Sequence, residues 1–235
     1  MASNPAPVCD NALLGSLTRE AFAALEPLIE YVEMPLKKVF SKGSKTIKHV
    51  FFPCSGMFSL IRTMEDGSTI EVGLIGKEGF VGVPLLLGAS ASPLDALVQG
   101  AGKAISMSAA TFLKVVDGNR SFRNRLLLYA QCLHIQVSQT AVCNARHTVP
   151  QRLARWILET HDRMGQPELS LSHEFLSYML GVRRAGITVA LQQFTAKGLV
   201  TTGRSKVTVR SRTGVEKAAC ECYRTVQRET RRLIA

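Results

Sequence analysis

The side chains best placed to do chemistry in this chain are cations. Arg183 and Arg184 stand side by side within the segment Leu171 to Phe194, and Arg204 and Lys206 flank Ser205 shortly after it. Guanidinium and ammonium groups recognise anions, arginine through a planar fork of donors and lysine as a point charge. The whole chain shares the bias, with 29 Lys and Arg against 18 Asp and Glu in 235 residues, a net charge of +11. The surplus is uneven. From Arg146 onward there are sixteen basic and seven acidic residues, whereas residues 1–145 hold thirteen and eleven. A polyanionic partner, met by the C-terminal half, is the expectation.

Other chemistries find little support. No P-loop, nucleophile elbow or paired-carboxylate pattern is present, and Ser, His and Asp are scattered, so no catalytic residue is assigned. The six cysteines, Cys9, Cys54, Cys132, Cys143, Cys220 and Cys222, show no C-x-x-C spacing and no His at zinc-finger intervals. They read as free buried thiols. Cys220 and Cys222, two apart in a C-terminal helical stretch, are expected on different faces, so no shared metal is assigned. Met1 to Pro7 holds neither a basic nor an apolar leader region, and the most apolar run, Phe80 to Ala89, contains Pro84. That run is about half the ~18–20 residues of a membrane span. A cytoplasmic protein with no membrane partner is expected, and 46% hydrophobic with 20% charged residues is an ordinary globular balance.

Among the elements that must position these cations, Asn11 to Val32 comes first, with apolar residues spaced for one helical face. From Met34 to Met107 short strand-like runs follow, at Val39-Phe40, Val50 to Phe52, Met57 to Ile61 and Ile70 to Leu74, with a hairpin signal at Glu65-Asp66-Gly67-Ser68. Such spacing suggests a barrel or sandwich. A helical pattern begins near Ser108, and Ser121 to His147 lacks Pro and Gly, predicting one helix of roughly 40 Å. Leu126, Leu133 and Thr140 recur every seven residues on it, as do Tyr129, Gln136 and Cys143, which reads as a dimer seam. The other reading is a helix lying on its own β domain. Pro150 opens a further helix over Gln151 to Asp162, ended by Gly165.

The cationic segment itself reads as two short helices joined by a glycine turn. Ser172 caps the first, and Leu176, Met179 and Leu180 give it a buried face. Gly181 supplies the turn, and Ile187, Ala190, Leu191 and Phe194 bury the second helix. Leu199 to Thr202 and Lys206 to Val209 then flank Gly203-Arg204-Ser205 as a basic hairpin, a wing.

Residues 151–209 resemble the winged helix of the Crp/Fnr superfamily of bacterial transcription regulators. The matching pieces are Arg152-Leu153-Ala154-Arg155-Trp156-Ile157-Leu158, Phe175 to Val182 and Gly198-Leu199-Val200. Gly43 to Phe52 resembles the early β-roll of that family's sensor domain, and Gly79-Phe80-Val81-Gly82 the start of its ligand cassette. The implied fold class is α+β: an antiparallel β-roll, a cyclic-nucleotide-binding-like jelly roll, over residues 1–118, a long dimerisation helix over 119–147, and a winged helix-turn-helix domain over 148–235.

The resemblance implies that the second helix enters the major groove of double-stranded DNA. Arg183, Arg184, Ala185, Thr188 and Gln192 would then contact bases, and Ser172, His173, Arg204 and Lys206 would contact phosphates. A homodimer on an inverted repeat follows, with RNA polymerase as a further implied partner. The family's pattern fails in the sensor. Members that bind cyclic AMP carry a Glu just after the cassette glycine and a downstream Arg, but here Val83-Pro84 follows Gly82 and residues 90–98 contain no Arg. A cyclic phosphate would lack a counter-charge, so cyclic AMP is not expected, and the pocket takes an apolar ligand or none. An N-terminal iron–sulfur cluster is not expected with Cys9 alone there, and haem would fall to His49, His134 or His147, none in a distinguishing context. A competing reading is a ligand-binding or interaction module whose winged helix grips a protein.

Overall fold

The computed structural model describes residues 9–234, so the expectation for Met1 to Pro7 lies outside the described residues. The opening segment is not one helix. It divides into a single turn at Leu14–Ser16, helix α1 (Arg19–Leu25), a turn at Glu26–Leu28 and strand β1 (Ile29–Met34). Local chemistry explains the breaks: the Thr18 hydroxyl accepts from the Ala21 N–H and restarts the helix, Pro27 cannot continue it, and Ile29 to Met34 finds a strand partner. Cys9 and Cys54 are joined in a disulfide, which corrects the reading of six free thiols. They are 45 residues apart, a separation no spacing rule flags. Beside them the buried Asn11 side chain donates to the carbonyls of Pro53 and Gly79, fastening the segment to the β domain.

Strands β2 (Val39–Ser41), β3 (His49–Pro53), β4 (Met57–Thr63), β5 (Thr69–Ile75), β6 (Asp95–Gly100) and β7 (Gly102–Ser108) complete that domain. They form two antiparallel sheets, ordered β1-β7-β3 and β2-β6-β4-β5. The β4–β5 hairpin closes where expected, with Met64 N–H donating to Ser68 O at 2.8 Å across Gly67. Phe51 of β3 meets Phe40 and Phe58 of the opposite sheet, and on the other face of β3 Phe52 stacks on Phe80 at 5.3 Å in an aromatic core completed by Phe112 and Phe122. A four-residue helix, α2 (Val83–Leu86), follows the cassette glycine Gly82.

Helix α3 (Ala109–Gly118) leads to the 27-residue helix α4 (Arg120–Arg146), capped by the Asn119 side chain. The stripe read as a dimer seam faces inward instead. Leu126, Tyr129, Gln136, Thr140 and Cys143 are all buried within the chain, and Leu133 packs against the β domain. Gln136 Oε1 accepts from the Leu74 N–H of β5 at 2.6 Å, which explains a polar residue in that stripe. Tyr129 lies so close over Gly79 that an added Cβ would sit 2.0 Å from its ring, so only glycine fits there. The face of α4 left to solvent carries Leu127, Leu128 and Val142.

The C-terminal region contains α5 (Val149–Met164), β8 (Glu168–Leu169), α6 (His173–Leu180), α7 (Arg184–Ala196), β9 (Val200–Gly203), β10 (Lys206–Val209), α8 (Arg212–Ala218) and α9 (Glu221–Ile234). Gln151 Oε1 accepts from both the Thr148 N–H and hydroxyl at the start of α5, and Gly165 ends it in the left-handed conformation. The core here is Trp156 with Leu153, Ile157, Leu176, Leu191 and Phe194, and Ile61 of β4 reaches into it. The chain therefore has the α+β class expected of it: an antiparallel β-roll, a long helix and a helix-turn-helix domain. Among the described residues no helix is long and apolar enough to cross a membrane.

Candidate nucleic-acid interface

Helices α6 and α7 are held by short-range devices. Ser172 Oγ accepts from Phe175 N–H at 3.1 Å and starts α6. Gly181 stops it at φ +61°, with Ile70 of β5 only 2.8 Å from where a Cβ would stand. The buried guanidinium of Arg152 donates to the Leu180 carbonyl, pinning the last turn of α6 to α5. On α7, Ile187, Ala190, Leu191 and Phe194 are buried. The helix thus has one committed face and one free one.

The free face holds most of the residues predicted to read bases. Arg183, Arg184, Ala185 and Gln192 are all exposed to solvent. Thr188 is half-buried, and its hydroxyl is already engaged, donating to the Arg184 carbonyl at 3.2 Å and meeting His173 Nδ1 at 3.0 Å. Only its methyl group remains for a base. Val189, 53% exposed and four residues after Ala185, shares this face, and helical spacing alone could have found it. Lys197 and Arg210 are further exposed cations, after α7 and after the wing, that the sequence reading does not single out.

Electrostatics set this surface apart. Residues 175–215 hold seven basic side chains and no acidic one. Arg183 is the residue at which α7 begins, with Arg184 in its first turn, at the end where the helix dipole is already positive. Cations at that end cost roughly 0.3–1 kcal/mol in the free protein, a cost that an approaching polyanion reverses.

The expected phosphate contacts fare differently from one another. Arg204 and Ser205 form the turn of the β9–β10 hairpin, and Arg204 is exposed. Lys206 Nζ lies 2.7 Å from Glu168 of β8, both about half exposed. Such a surface pair is worth little and exchanges readily. Ser172 Oγ accepts in its cap and keeps its O–H to donate, and His173 meets Thr188 through Nδ1 and keeps Nε2, so both hold the helices in place with a polar group still available to a phosphate.

Behind the interface, Trp156 Nε1 donates to Glu71 of β5 at 2.8 Å, and Glu71 Oε2 is 2.6 Å from Ser59 Oγ. Ser59 Oγ also contacts Gln99 Oε1. A protonated Glu71 satisfies this chain, donating to Ser59, which donates to Gln99. Burial pushes the Glu71 carboxyl up to about 8, against the bonds from Ser59 and Trp156 that favour its charged form. In the β-roll, a cavity of about 130 Å³ is lined by Ile47, Leu60, Phe80 and Leu94, with Ser41 and Ser92 as its polar side chains.

Cys220 lies just ahead of α9, after an extended Ala219, so the face argument for Cys220 and Cys222 fails. The two thiols converge with Cys143 and His147.

Comparison with known proteins gives a consistent picture. Residues 37–119 match the family model of the cyclic nucleotide-binding domain, and residues 151–218 that of the Crp-like helix-turn-helix domain. No curated protein matches. Among solved structures, FixK2 of Bradyrhizobium japonicum superposes with a TM-score of 0.70 at 14% identity, over 82% of this chain and 98% of that one. A CRP-family transcriptional regulator of Thermus thermophilus gives 0.67 at 14% identity over 80% and 96%. The c-di-GMP responsive global regulator CLP of Xanthomonas campestris gives 0.62 at 16% over 82% and 99%. At these identities the structural likeness is one of fold. The two family models, which follow one another in order and together span well over half of the sequence, carry the stronger statement: this chain belongs to the Crp/Fnr superfamily of helix-turn-helix transcription regulators.

Proposed function

We propose that the chain is a sequence-specific DNA-binding transcription regulator that acts as a homodimer on an inverted repeat. The observation that carries this reading is the free face of α7, cationic at its start and backed by a fully buried opposite face. Arg183 and Arg184 would meet guanine edges, Ala185, Thr188 and Val189 thymine methyls, and Gln192 a base or phosphate one turn on. Arg204, Lys206, Ser172 and His173 would contact phosphates, the last two while also holding the helix pair that presents the base-reading residues. RNA polymerase is the protein partner such a regulator would meet at a promoter.

The dimer seam in this proposal is the solvent face of α4. Leu128, Ile135 and Val142 recur every seven residues there, two positions on from the Leu126, Leu133 and Thr140 stripe. Leu128 and Val142 are exposed, so the stripe is free to pair. Two recognition helices would then stand about one turn of DNA apart, ~34 Å.

The sensor is proposed to respond to something other than cyclic AMP. No charged side chain lines the β-roll cavity, and its size suits a small apolar ligand or none. Selection of bound sequences from random duplex DNA, followed by titration of the winning site against salt, tests the main reading. An inverted-repeat consensus and a steep loss of affinity with salt are expected. Recovery of no enriched sequence, with affinity insensitive to salt, would instead favour a winged helix that grips a protein.

A further inference from the structure

Four potential metal ligands outside the DNA-facing surface converge where the long helix meets the last one. Cys143 lies in the final turn of α4 and His147 is the residue that ends it. Cys220 directly precedes α9 and Cys222 sits in its first turn. The three cysteines are buried and form a cluster of their own. Cys143 Sγ is 3.5 Å from Cys220 Sγ, Cys222 Sγ is 3.5 Å from His147 Nδ1, and all four ligand atoms lie within 4.8 Å of one another. A tetrahedral zinc ion with Zn–S near ~2.3 Å and Zn–N near ~2.0 Å needs ligand atoms roughly 3.5–3.8 Å apart. The Cys222–His147 edge of that tetrahedron is thus at its required length, and the Cys143–Cys220 edge is within about 0.3 Å of it.

We infer that Cys143, His147, Cys220 and Cys222 form a Cys3His site for a thiophilic divalent cation, Zn²⁺ by ligand type and tetrahedral arrangement. The surroundings fit a metal better than a thiol pair. His147 Nε2 lies 3.3 Å from Glu221 Oε2, so the carboxylate would hold the ring proton and leave the Nδ1 lone pair for the ion. The Gln139 amide donates to Cys222 Sγ at 3.2 Å. Three thiolates on a divalent ion carry one net negative charge. Arg152, buried in the helix that follows His147, has no carboxylate partner among the described residues, and its charge is opposite in sign to that of the loaded site. A Cys143–Cys220 disulfide would use only two of the four converging groups and would supply no negative charge beside Arg152. The bound ion would clamp α9 to the end of α4, at the joint from which α5 and the DNA-facing helices depart. The site stands independently of the proposed DNA binding.

The test uses the full chain, reduced, stripped with a chelator and titrated with Co²⁺. One ion per chain is expected, with thiolate-to-cobalt charge-transfer bands and the visible d–d absorption of a tetrahedral site, both abolished by one equivalent of Zn²⁺. Cys143→Ser and Cys220→Ser should lose the stoichiometric ion, whereas Cys132→Ser, which alters a buried cysteine of α4 outside the cluster, should keep it. Should the serine variants fail to fold, Glu221→Gln changes an exposed carboxylate and should weaken Zn²⁺ binding about 10–100-fold. The inference is overturned if the reduced wild type gives no cobalt–thiolate bands, if Cys143→Ser retains the ion, or if Glu221→Gln binds Zn²⁺ as tightly as the wild type.

Discussion

At the residue scale, exposed cations and buried acids make opposite demands. Arg184 stands where the helix dipole already repels it, so Arg184→Ala should raise the stability of the free protein by a few tenths of a kcal/mol, read from urea unfolding. The same variant should lose roughly 1–3 kcal/mol of preference for the selected site over a scrambled one. An unchanged ratio of the two affinities would remove Arg184 from the base readers. Lys206→Ala should weaken binding to every sequence alike and shallow the salt slope by about 1, and Glu168→Gln, which frees Lys206, should strengthen it. Glu71 titrates near 8 in the folded chain and near 4.5 in the unfolded one. Between those pH values the folded state holds a proton that the unfolded chain has released. Stability should therefore fall as pH rises through that window, by up to about 1.4 kcal/mol per pH unit, and level off above it. Glu71→Gln keeps an acceptor for Trp156 and should flatten the profile; a slope identical to wild type would assign the pH dependence elsewhere.

At the element scale, the two helices that matter most are legible in the sequence to different degrees. Helix α7 can be read from its own pattern, because one apolar face, a glycine turn before it and a strand pair after it are all local signals. Gly186 within it has only Val149 nearby, at 3.9 Å, so the fold itself does not require glycine there. Gly186→Ala should stabilise the free protein by up to about 1 kcal/mol. If the backbone at that point must approach DNA closely, the same change will lower operator affinity, measurable by anisotropy. Helix α4 is predictable as an element, but its faces are not. Its heptads allow more than one stripe, and the choice depends on what lies beside them: β5, α9 and the aromatic core claim Leu126, Tyr129 and Gln136. Val142→Arg on the opposite stripe should shift the protein from dimer to monomer in sedimentation while leaving its circular dichroism intact. A dimer unaffected by that charge would place the seam on another surface.

At the scale of the whole molecule, the β-roll and the helix-turn-helix share more than a linker. Ile61 enters the C-terminal core, Ile70 backs the Gly181 turn, and Trp156 reaches Glu71. Arg163 of α5 bonds Glu78 at 2.7 Å, and Arg212 joins Asp162 and Tyr223 behind the wing. Packed side chains therefore connect the β-roll to the last turn of α6 without a break. Substitution of Trp156 by Phe keeps the apolar bulk but strands the Glu71 acceptor, and should loosen this junction by about 1–2 kcal/mol, read as earlier proteolysis between the two regions. Equal protease resistance would show that packing alone holds it.

The amino-acid order determined the helix-turn-helix, the wing and the cationic surface, because each depends on contacts between residues near one another in sequence; the β-roll, whose β1–β7 pairing joins Ile29 to Met107, was legible through its family resemblance. Periodicity, caps and turn glycines carry such information directly. What only the tertiary structure decided depends on long separations: the Cys9–Cys54 link, the inward stripe of α4, the Glu71–Trp156 contact and the meeting of Cys143 and His147 with Cys220 and Cys222. A one-dimensional pattern states which faces a helix owns. It does not state which neighbour will cover them, and chain closure over tens of residues settles that.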